Sequence, residues 1–176
     1  MNREKMGLTI AYFGGGKGKT TAALGLVLRA SGAGKKVKVI QFVKGDWPSS
    51  EEKAIRNLKG VALDRTGLGF VGIKGDEKKI EDHRKAALRG LKIARQSLGK
   101  YDVIVCDEIL AAAKVRLIKI RDVVDLIEKK PRGSTLVLTG APKIEEVIKQ
   151  CDLATEMKKI KHPFDRGVVA IEGIDY

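Results

Sequence analysis

A glycine-rich segment that ends in Lys-Thr is the part of this sequence with the clearest chemical potential. Residues 14–20 read G-G-G-K-G-K-T. Glycines let the backbone curl, so that successive N–H groups can point at one anion. Lys19 would bring a full positive charge to bound phosphates, and the Thr20 hydroxyl would ligate Mg²⁺. The segment therefore predicts a polyphosphate site with a metal ion beside it.

The residues on both sides of this segment are those that a P-loop requires. Residues 8–13 form a short apolar run, typical of a buried strand, and residues 21–30 are apolar almost all round, typical of a buried helix. The strict pattern has glycine where this chain has Phe13, so the glycine run would supply the turn one residue later. The alternative is a strand-to-helix turn without a ligand. We expect the nucleotide to contact Gly14, Gly15, Gly16, Lys17, Gly18, Lys19, Thr20 and Thr21.

Two acidic residues follow the most strand-like run of the chain. Residues 101–106 are mainly apolar and lead into Asp107 and Glu108. By itself this pattern is weak, because any strand can end in Asp-Glu. With a P-loop upstream it is typical of a Walker B element, whose carboxylate holds Mg²⁺ or a water on it. Thr20, Asp107 and Glu108 are therefore the predicted metal site.

A second glycine-rich segment, residues 66–75, carries apolar side chains rather than cations. Exposed Phe70, Val71 and Ile73 among glycines predict a flexible apolar flap, not a phosphate cradle. His83 lies on the helix that is predicted next. A single histidine on a helix is more often a surface or packing residue than a ligand, so we assign it no chemistry.

Composition limits the class of protein. The 176 residues suit one domain, 1–176. The net charge of +13 favours polyanionic partners such as nucleotides, nucleic acid or an acidic protein, although a lysine-rich solvated surface is an equal alternative. An aromatic content of 5% argues against a base-stacking platform for nucleic acid. We expect no membrane span and no signal peptide, and Cys106 and Cys151 as buried thiols in a reducing cytoplasm.

Apolar periodicity predicts alternating strands and helices, hence an α/β fold with a mainly parallel sheet between helices. Asp76 is expected to cap the long third helix, whose apolar positions begin at Ile80. The last segment, 158–176, is expected to be a basic loop. Beyond those already given, the predicted strands are 37–43, 61–65 near a sheet edge, 134–139 and 153–157, and the predicted helices are 51–58, 76–98, 121–128 and 144–150.

Four segments together resemble the ATP:corrinoid adenosyltransferases, over nearly the whole chain. This combination is far more specific than the P-loop, which many unrelated ATPases share. The segments are G-G-G-K-G-K-T-T-A-A-L-G at 14–25, V-I-Q-F-V-K-G-D-W-P at 39–48, T-G-L-G-F at 66–70, and T-E-M-x-x-I-K-H-P-F-D-x-G-V-x-A-x-x-G-I-D-Y from 155 to the end.

The resemblance implies a RecA-like P-loop fold, a homodimer, and an unusual use of ATP and Mg²⁺. Members of this family transfer the 5′-deoxyadenosyl group to Co(I) of a reduced corrinoid and release triphosphate. They hold the nucleotide in reversed orientation, and a flavoprotein reductase is a possible partner. The implied catalytic residues are Lys19 on the triphosphate, Phe70 in the loop that displaces the lower axial ligand of cobalt, and Glu108 in the metal shell.

The sequence departs from the family pattern near the corrinoid and nucleotide. The family flap continues Gly-Phe-Thr-Trp, whereas residues 69–72 read G-F-V-G, so the tryptophan is missing. Residues 109–112 are apolar where the family has a polar residue and tyrosine, and Ala141 stands where arginine is common. The alternatives are a hydrolysing P-loop ATPase that acts on nucleic acid or another partner, and an ATP-binding regulator with a decayed corrinoid site.

Overall fold

The computed structural model describes residues 6–45, 49–72 and 76–175. Strands and helices alternate through most of the chain, as the apolar periodicity predicts. The strands are β1 Thr9–Phe13, β2 Val37–Gln41, β3 Val61–Arg65, β4 Val103–Asp107, β5 Thr135–Gly140 and β6 Leu153–Glu156. The helices are α1 Lys19–Gly32, α2 Ser50–Arg56, α3 Ile80–Ser97, α4 Ile109–Lys114, α5 Ile120–Glu128 and α6 Glu145–Ile148, followed by a 3₁₀ turn at Pro163–Arg166.

The six strands form one parallel sheet in the order β3-β2-β4-β5-β1-β6. Side chains alternate between its faces. Ile104 and Cys106 of β4 join the cluster under α3, α4 and α5, and Val105 joins the cluster under α1. The sheet therefore lies between two helical layers, so the predicted three-layer α/β fold is confirmed. All carboxyl ends point to one edge, where open α/β sheets bind ligands.

The apolar run after β2 continues past the strand into the core. Thr66 N and Gly67 N both donate to the Gln41 carbonyl, which ends the pairing of β2 with β3. Phe42 and Val43 nevertheless remain buried. The predicted strand 37–43 is therefore too long by two residues, because burial and strand pairing end at different points. The prediction that 61–65 lies near a sheet edge is confirmed.

The prediction that Asp76 caps α3 is wrong. The helix begins at Ile80, and Lys79 occupies the position that precedes it. Ile80 is also 41% exposed, so it lies outside the apolar face on which it was placed. A further helix, α4, follows Glu108 directly and was not predicted, because its residues I-L-A-A-A-K are apolar without a helical period.

Both cysteines are free thiols, as expected, with Cys106 buried and Cys151 partly buried. Burial raises the pKa of the Cys106 thiol well above its usual range, and it raises the pKa of Cys151 to about 11. In the part of the chain that the structure describes, no helix combines the length and the hydropathy needed to cross a bilayer.

Candidate nucleotide and corrinoid site

The glycine segment forms a tight curve between β1 and the N-terminus of α1. Gly14 and Gly18 have φ angles of 107° and 104°, which side-chain-bearing residues rarely adopt. A Cβ added at Gly14 would lie 2.4 Å from the Met157 carbonyl oxygen. The sequence thus has glycine where both the backbone angle and the close approach of β6 demand it.

Backbone hydrogen bonds tie this loop to its neighbours in the sheet. Gly14 N donates to the Ala141 carbonyl at 3.0 Å, and Gly16 N donates to the Met157 carbonyl at 2.7 Å. Met157 N donates in turn to the Phe13 carbonyl at 2.7 Å. Residues after β5 and β6 therefore fix the curve of the loop. Ala141 replaces an arginine of the family, but it contributes through its backbone.

The Lys19 ammonium lies inside the curve of its own loop. Its Nζ donates to the carbonyl oxygens of Gly14 at 2.9 Å and Gly16 at 2.7 Å. The same position is within reach of phosphates held by the loop, because α1 begins at Lys19 and its first N–H groups face the loop. The site concentrates positive charge where an anion would bind.

Thr20, Asp107 and Thr139 form a connected polar group at the carboxyl edge of the sheet. Asp107 Oδ1 accepts a hydrogen bond of 2.9 Å from the Thr20 hydroxyl and one of 2.7 Å from the Thr139 hydroxyl. Glu108 N donates to Thr139 Oγ1 at 2.8 Å. Thr139 belongs to β5, which lies between β4 and β1, so it can reach both acidic residues.

Burial dominates the acid–base behaviour of the two carboxyls. It raises the pKa of Asp107, although hydrogen bonds from Thr139 and Thr20 oppose the shift. Burial and the neighbouring Asp107 charge raise the pKa of Glu108 to about 7, and Lys19 opposes this. A buried carboxylate and a partly buried one next to it repel each other, so a cation between them would stabilise both charged forms.

The donor set fits Mg²⁺ when nucleotide phosphates supply the remaining ligands. Mg²⁺ prefers oxygen and is usually held by one or two carboxylates, waters and substrate phosphates. The Thr20 hydroxyl gives its hydrogen to Asp107, which leaves an oxygen lone pair for a metal. Within the described residues no group of three or more His, Cys, Asp or Glu side chains could hold a metal by itself.

One cavity of about 750 Å³ joins the P-loop end to the flap. Predicted site residues Thr20, Thr21, Phe70, Asp107 and Glu108 all line it. Much of its wall is apolar and comes from α1 and α2, through Leu24, Leu28, Ala54 and Ile55. Ligand pockets usually combine such walls with a few polar groups, and this volume lies in their usual range.

The flap is partly as predicted. Phe70 is 55% exposed and lies at the cavity, as expected. Val71, in contrast, packs against the main core cluster, so its predicted exposure is wrong. Gly69 N donates a hydrogen bond of 2.7 Å to the Val43 carbonyl, which holds the flap against the segment that follows β2. Ile73 lies outside the described residues, as do Trp47 and Pro48.

Several lining residues were missed from the sequence. Lys44 forms an ion pair with Glu51 at the cavity wall, and its charge opposes the rise that burial causes in the pKa of Asp107. Residues 173–175 also line the cavity, where Asp175 pairs with Lys17. The signal for Lys44 is its place just after β2 at the carboxyl edge, whereas the approach of the distant 173–175 segment depends on the fold of the loop before it.

The fold and the site together define a P-loop nucleotide-binding protein of the RecA-like α/β class. A family model, ATP:corrinoid adenosyltransferase BtuR/CobO/CobP, matches residues 5–176. The chain therefore belongs to the ATP:corrinoid adenosyltransferase family, and the resemblance seen in the four sequence segments is confirmed.

Curated relatives agree over the full length. The chain is 34% identical to the corrinoid adenosyltransferase of Escherichia coli strain K12, over 99% of this chain and 88% of the relative. It is 33% identical to corrinoid adenosyltransferase CobA of Salmonella typhimurium strain LT2, with the same coverage. A solved structure of EssC (ATPases 2 and 3) from Geobacillus thermodenitrificans matches 96% of this chain and 35% of that chain, with 13% identity and a TM-score of 0.50, which indicates the fold alone.

Proposed function

We propose that this protein transfers the 5′-deoxyadenosyl group of ATP to Co(I) of a reduced corrinoid and releases triphosphate. The observation that carries the proposal is the shared cavity, in which Thr20 and Asp107 lie at the polyphosphate end and Phe70 lies at the flap. Family membership supplies the substrates, ATP and a corrinoid. A single space with largely apolar walls would let the two substrates meet.

The reaction requires little acid–base catalysis by the protein. Co(I) is already a strong nucleophile, so it attacks C5′ without a general base, and the C5′–O bond breaks as the Co–C bond forms. The electron pair of the broken bond leaves on triphosphate. The protein must align C5′ with cobalt and stabilise the negative charge of the leaving group. Lys19, Lys17 and those loop amides that are not bonded to Ala141 or Met157 would serve the second task.

Mg²⁺ would be held by Thr20, Asp107 and Glu108 together with phosphate oxygens. Bound there, the ion would neutralise charge that develops on the leaving triphosphate. Asp107 supplies a carboxylate that Thr20 and Thr139 already orient. Glu108 is next to it on the chain, and a nearby cation would favour its charged form.

Phe70 would act on the corrinoid. Its ring is exposed at the cavity, and an apolar ring under cobalt would exclude the lower axial ligand, which makes Co(II) easier to reduce. Val71, which is partly buried, packs against the core beside it and would stabilise the flap in place of the missing tryptophan. A homodimer, a flavoprotein reductase as electron source and a cytoplasmic location complete the proposal.

Product analysis tests the function directly. The protein would be incubated with chemically reduced corrinoid, ATP and Mg²⁺, and the visible spectrum and phosphate products followed. We expect a light-sensitive Co–C bond and triphosphate in equal amounts, and we expect Lys19→Ala to lose both. Lys100→Ala, on the surface before β4, is the matched control. ADP and phosphate as products would contradict the proposal and indicate a hydrolase.

A further inference from the structure

The flap that carries Phe70 is fixed at its first end by β2. Thr66 N donates to the Gln41 carbonyl at 3.0 Å, and the Thr66 hydroxyl donates to the same oxygen at 3.2 Å. Gly69 N then donates to the Val43 carbonyl. These bonds hold the chain up to the residue before Phe70. The residues after Phe70 are held by a different contact.

The second end is held by a carboxylate. Asp76 Oδ2 accepts a hydrogen bond of 3.0 Å from Gly72 N, two residues after Phe70. Asp76 Oδ1 lies 3.2 Å from His83 Nε2 and accepts a further bond of 3.2 Å from Lys78 N. One side chain thus joins the flap backbone to helix α3.

His83 makes this anchor rigid. Its side chain is 2% exposed and that of Asp76 is 8% exposed, so the pair is shielded from water. His83 is the fourth residue of α3 and lies on the same buried face as Ala87 and Leu91, through which the helix packs on the sheet. An imidazole fixed on a long helix is a firm support for a carboxylate, because neither partner has to be ordered when the bond forms.

The charge state of Asp76 agrees with this role. The Gly72 N–H group lowers the pKa of the Asp76 carboxyl, and His83 and the Lys78 N–H group lower it further, against the effect of burial. An ionised carboxylate accepts hydrogen bonds about twice as strongly as a neutral acceptor. The Gly72 amide therefore has a strong partner.

We propose that Asp76 and His83 are positioning residues that hold Phe70 in the cavity by clamping the backbone at Gly72. This inference rests on the proposed role of Phe70 in preparing the corrinoid. Neither residue would touch a substrate. Asp76, which sequence patterns favour as a helix cap, serves instead as the second anchor of the flap.

The first test measures the anchor without any corrinoid. Hydrogen exchange of the amides at residues 66–72 would be compared in wild type, Asp76→Ala, His83→Ala and His83→Gln. Asp76→Ala removes the hydrogen bond of Gly72 N to a charged group and should speed exchange at Gly72 about tenfold. His83→Ala keeps that bond but removes the support of the carboxylate, so it should speed exchange by a smaller factor. Glutamine places an N–H group where His83 Nε2 lies, so His83→Gln should stay near wild type. Asp82→Ala, an exposed neighbour on α3, is the control.

The second test measures the consequence for the reaction. Asp76→Ala and His83→Ala should slow adenosylation that starts from Co(II) corrinoid more than adenosylation from pre-formed Co(I), with KM for ATP unchanged. Unchanged exchange at Gly72, or equal slowing of both routes with a raised KM for ATP, would overturn the inference. If an alanine variant does not fold, Asp76→Asn answers the same question, because an amide cannot accept both bonds as a carboxylate does. If the wild-type protein does not adenosylate the corrinoid, the proposed function is refuted. The hydrogen-exchange data would still test whether Asp76 and His83 hold Gly72.

Discussion

Thr20 and Asp107 are joined by a hydrogen bond of 2.9 Å, although they lie 87 residues apart in the sequence. The bond connects the first turn of α1 to the end of β4. It sets the hydroxyl and the carboxylate side by side at the carboxyl edge of the sheet, where the P-loop lies. The P-loop and the acidic pair, which the sequence predicts to share a metal site, therefore meet in one polar group.

Asp107→Asn should separate function from stability. The amide oxygen can still accept the bonds from Thr20 and Thr139, while the buried charge disappears. We expect the Tm of the ligand-free protein to be equal to or higher than that of wild type. Mg²⁺ should no longer strengthen ATP binding, because the metal loses its carboxylate.

Calorimetric titration of ATP with and without Mg²⁺, together with thermal unfolding, checks both halves of this expectation. Asp82→Asn, exposed on α3, is the control for a change of net charge. A clear drop in Tm together with a normal effect of Mg²⁺ would show that Asp107 is a structural residue and not a metal ligand.

The stability of the ligand-free protein should fall as pH rises from about 5 to 7. The pKa of Glu108 is about 7 in the folded chain, above its ordinary value of 4.5, so the folded state binds the proton more tightly. Its contribution is fully present below the unfolded pKa and is lost as pH rises through the folded pKa. The change over this interval amounts to about 2 kcal/mol in the free energy of unfolding.

Urea unfolding at several pH values measures this change. Glu108→Gln keeps the shape of the side chain and removes the ionisation, so its unfolding free energy should depend less on pH over this interval. The same pH dependence in both proteins would show that Glu108 is not the group responsible.

Gly14→Ala and Gly15→Ala form a matched pair for the P-loop. At Gly14 a methyl group meets the Met157 carbonyl and a positive φ angle, so we expect a loss of about 1–3 kcal/mol or more. At Gly15 a Cβ would have no atom of the described chain within 4 Å. Chemical denaturation should therefore show Gly14→Ala clearly less stable and Gly15→Ala close to wild type. Similar losses at both positions would contradict the close contact between Gly14 and the Met157 carbonyl.

Phe70→Ala should leave stability nearly unchanged, because the ring is 55% exposed. It should slow adenosylation from Co(II) corrinoid more than adenosylation from pre-formed Co(I), since only the first route needs the axial ligand displaced. Parallel assays with the two starting oxidation states measure the difference. Val71→Ala is the comparison variant. It removes a side chain that packs against the core, so it should mainly lower the free energy of unfolding. If Phe70→Ala slows both routes equally, the ring has no part in activating Co(II).

Local sequence patterns predicted most of the fold and the centre of the site. The order of strands and helices, the P-loop and the acidic pair all follow from runs of neighbouring residues, whose chemistry is local. The sequence could not reveal that Thr139 bonds Asp107, because this contact depends on β5 lying between β4 and β1. Threonine at a strand end has many other roles.

Asp76 shows why the remaining details were missed. An acidic residue before an apolar helical pattern usually caps the helix, and the sequence offers no reason to prefer another partner. In the folded chain, His83 and the Gly72 amide both lie close enough to bind it. Competition among possible partners is settled by tertiary geometry, which a one-dimensional pattern does not contain.

The bonds from Lys19 to the carbonyls of its own loop have a kinetic consequence. The bonds of Gly14 and Gly16 to Ala141 and Met157 fix the curve of the loop, and the Lys19 ammonium adds a counter-charge to the carbonyl groups inside it. Incoming ATP therefore meets a loop that is already curved, so its association rate should not be limited by reordering of the backbone.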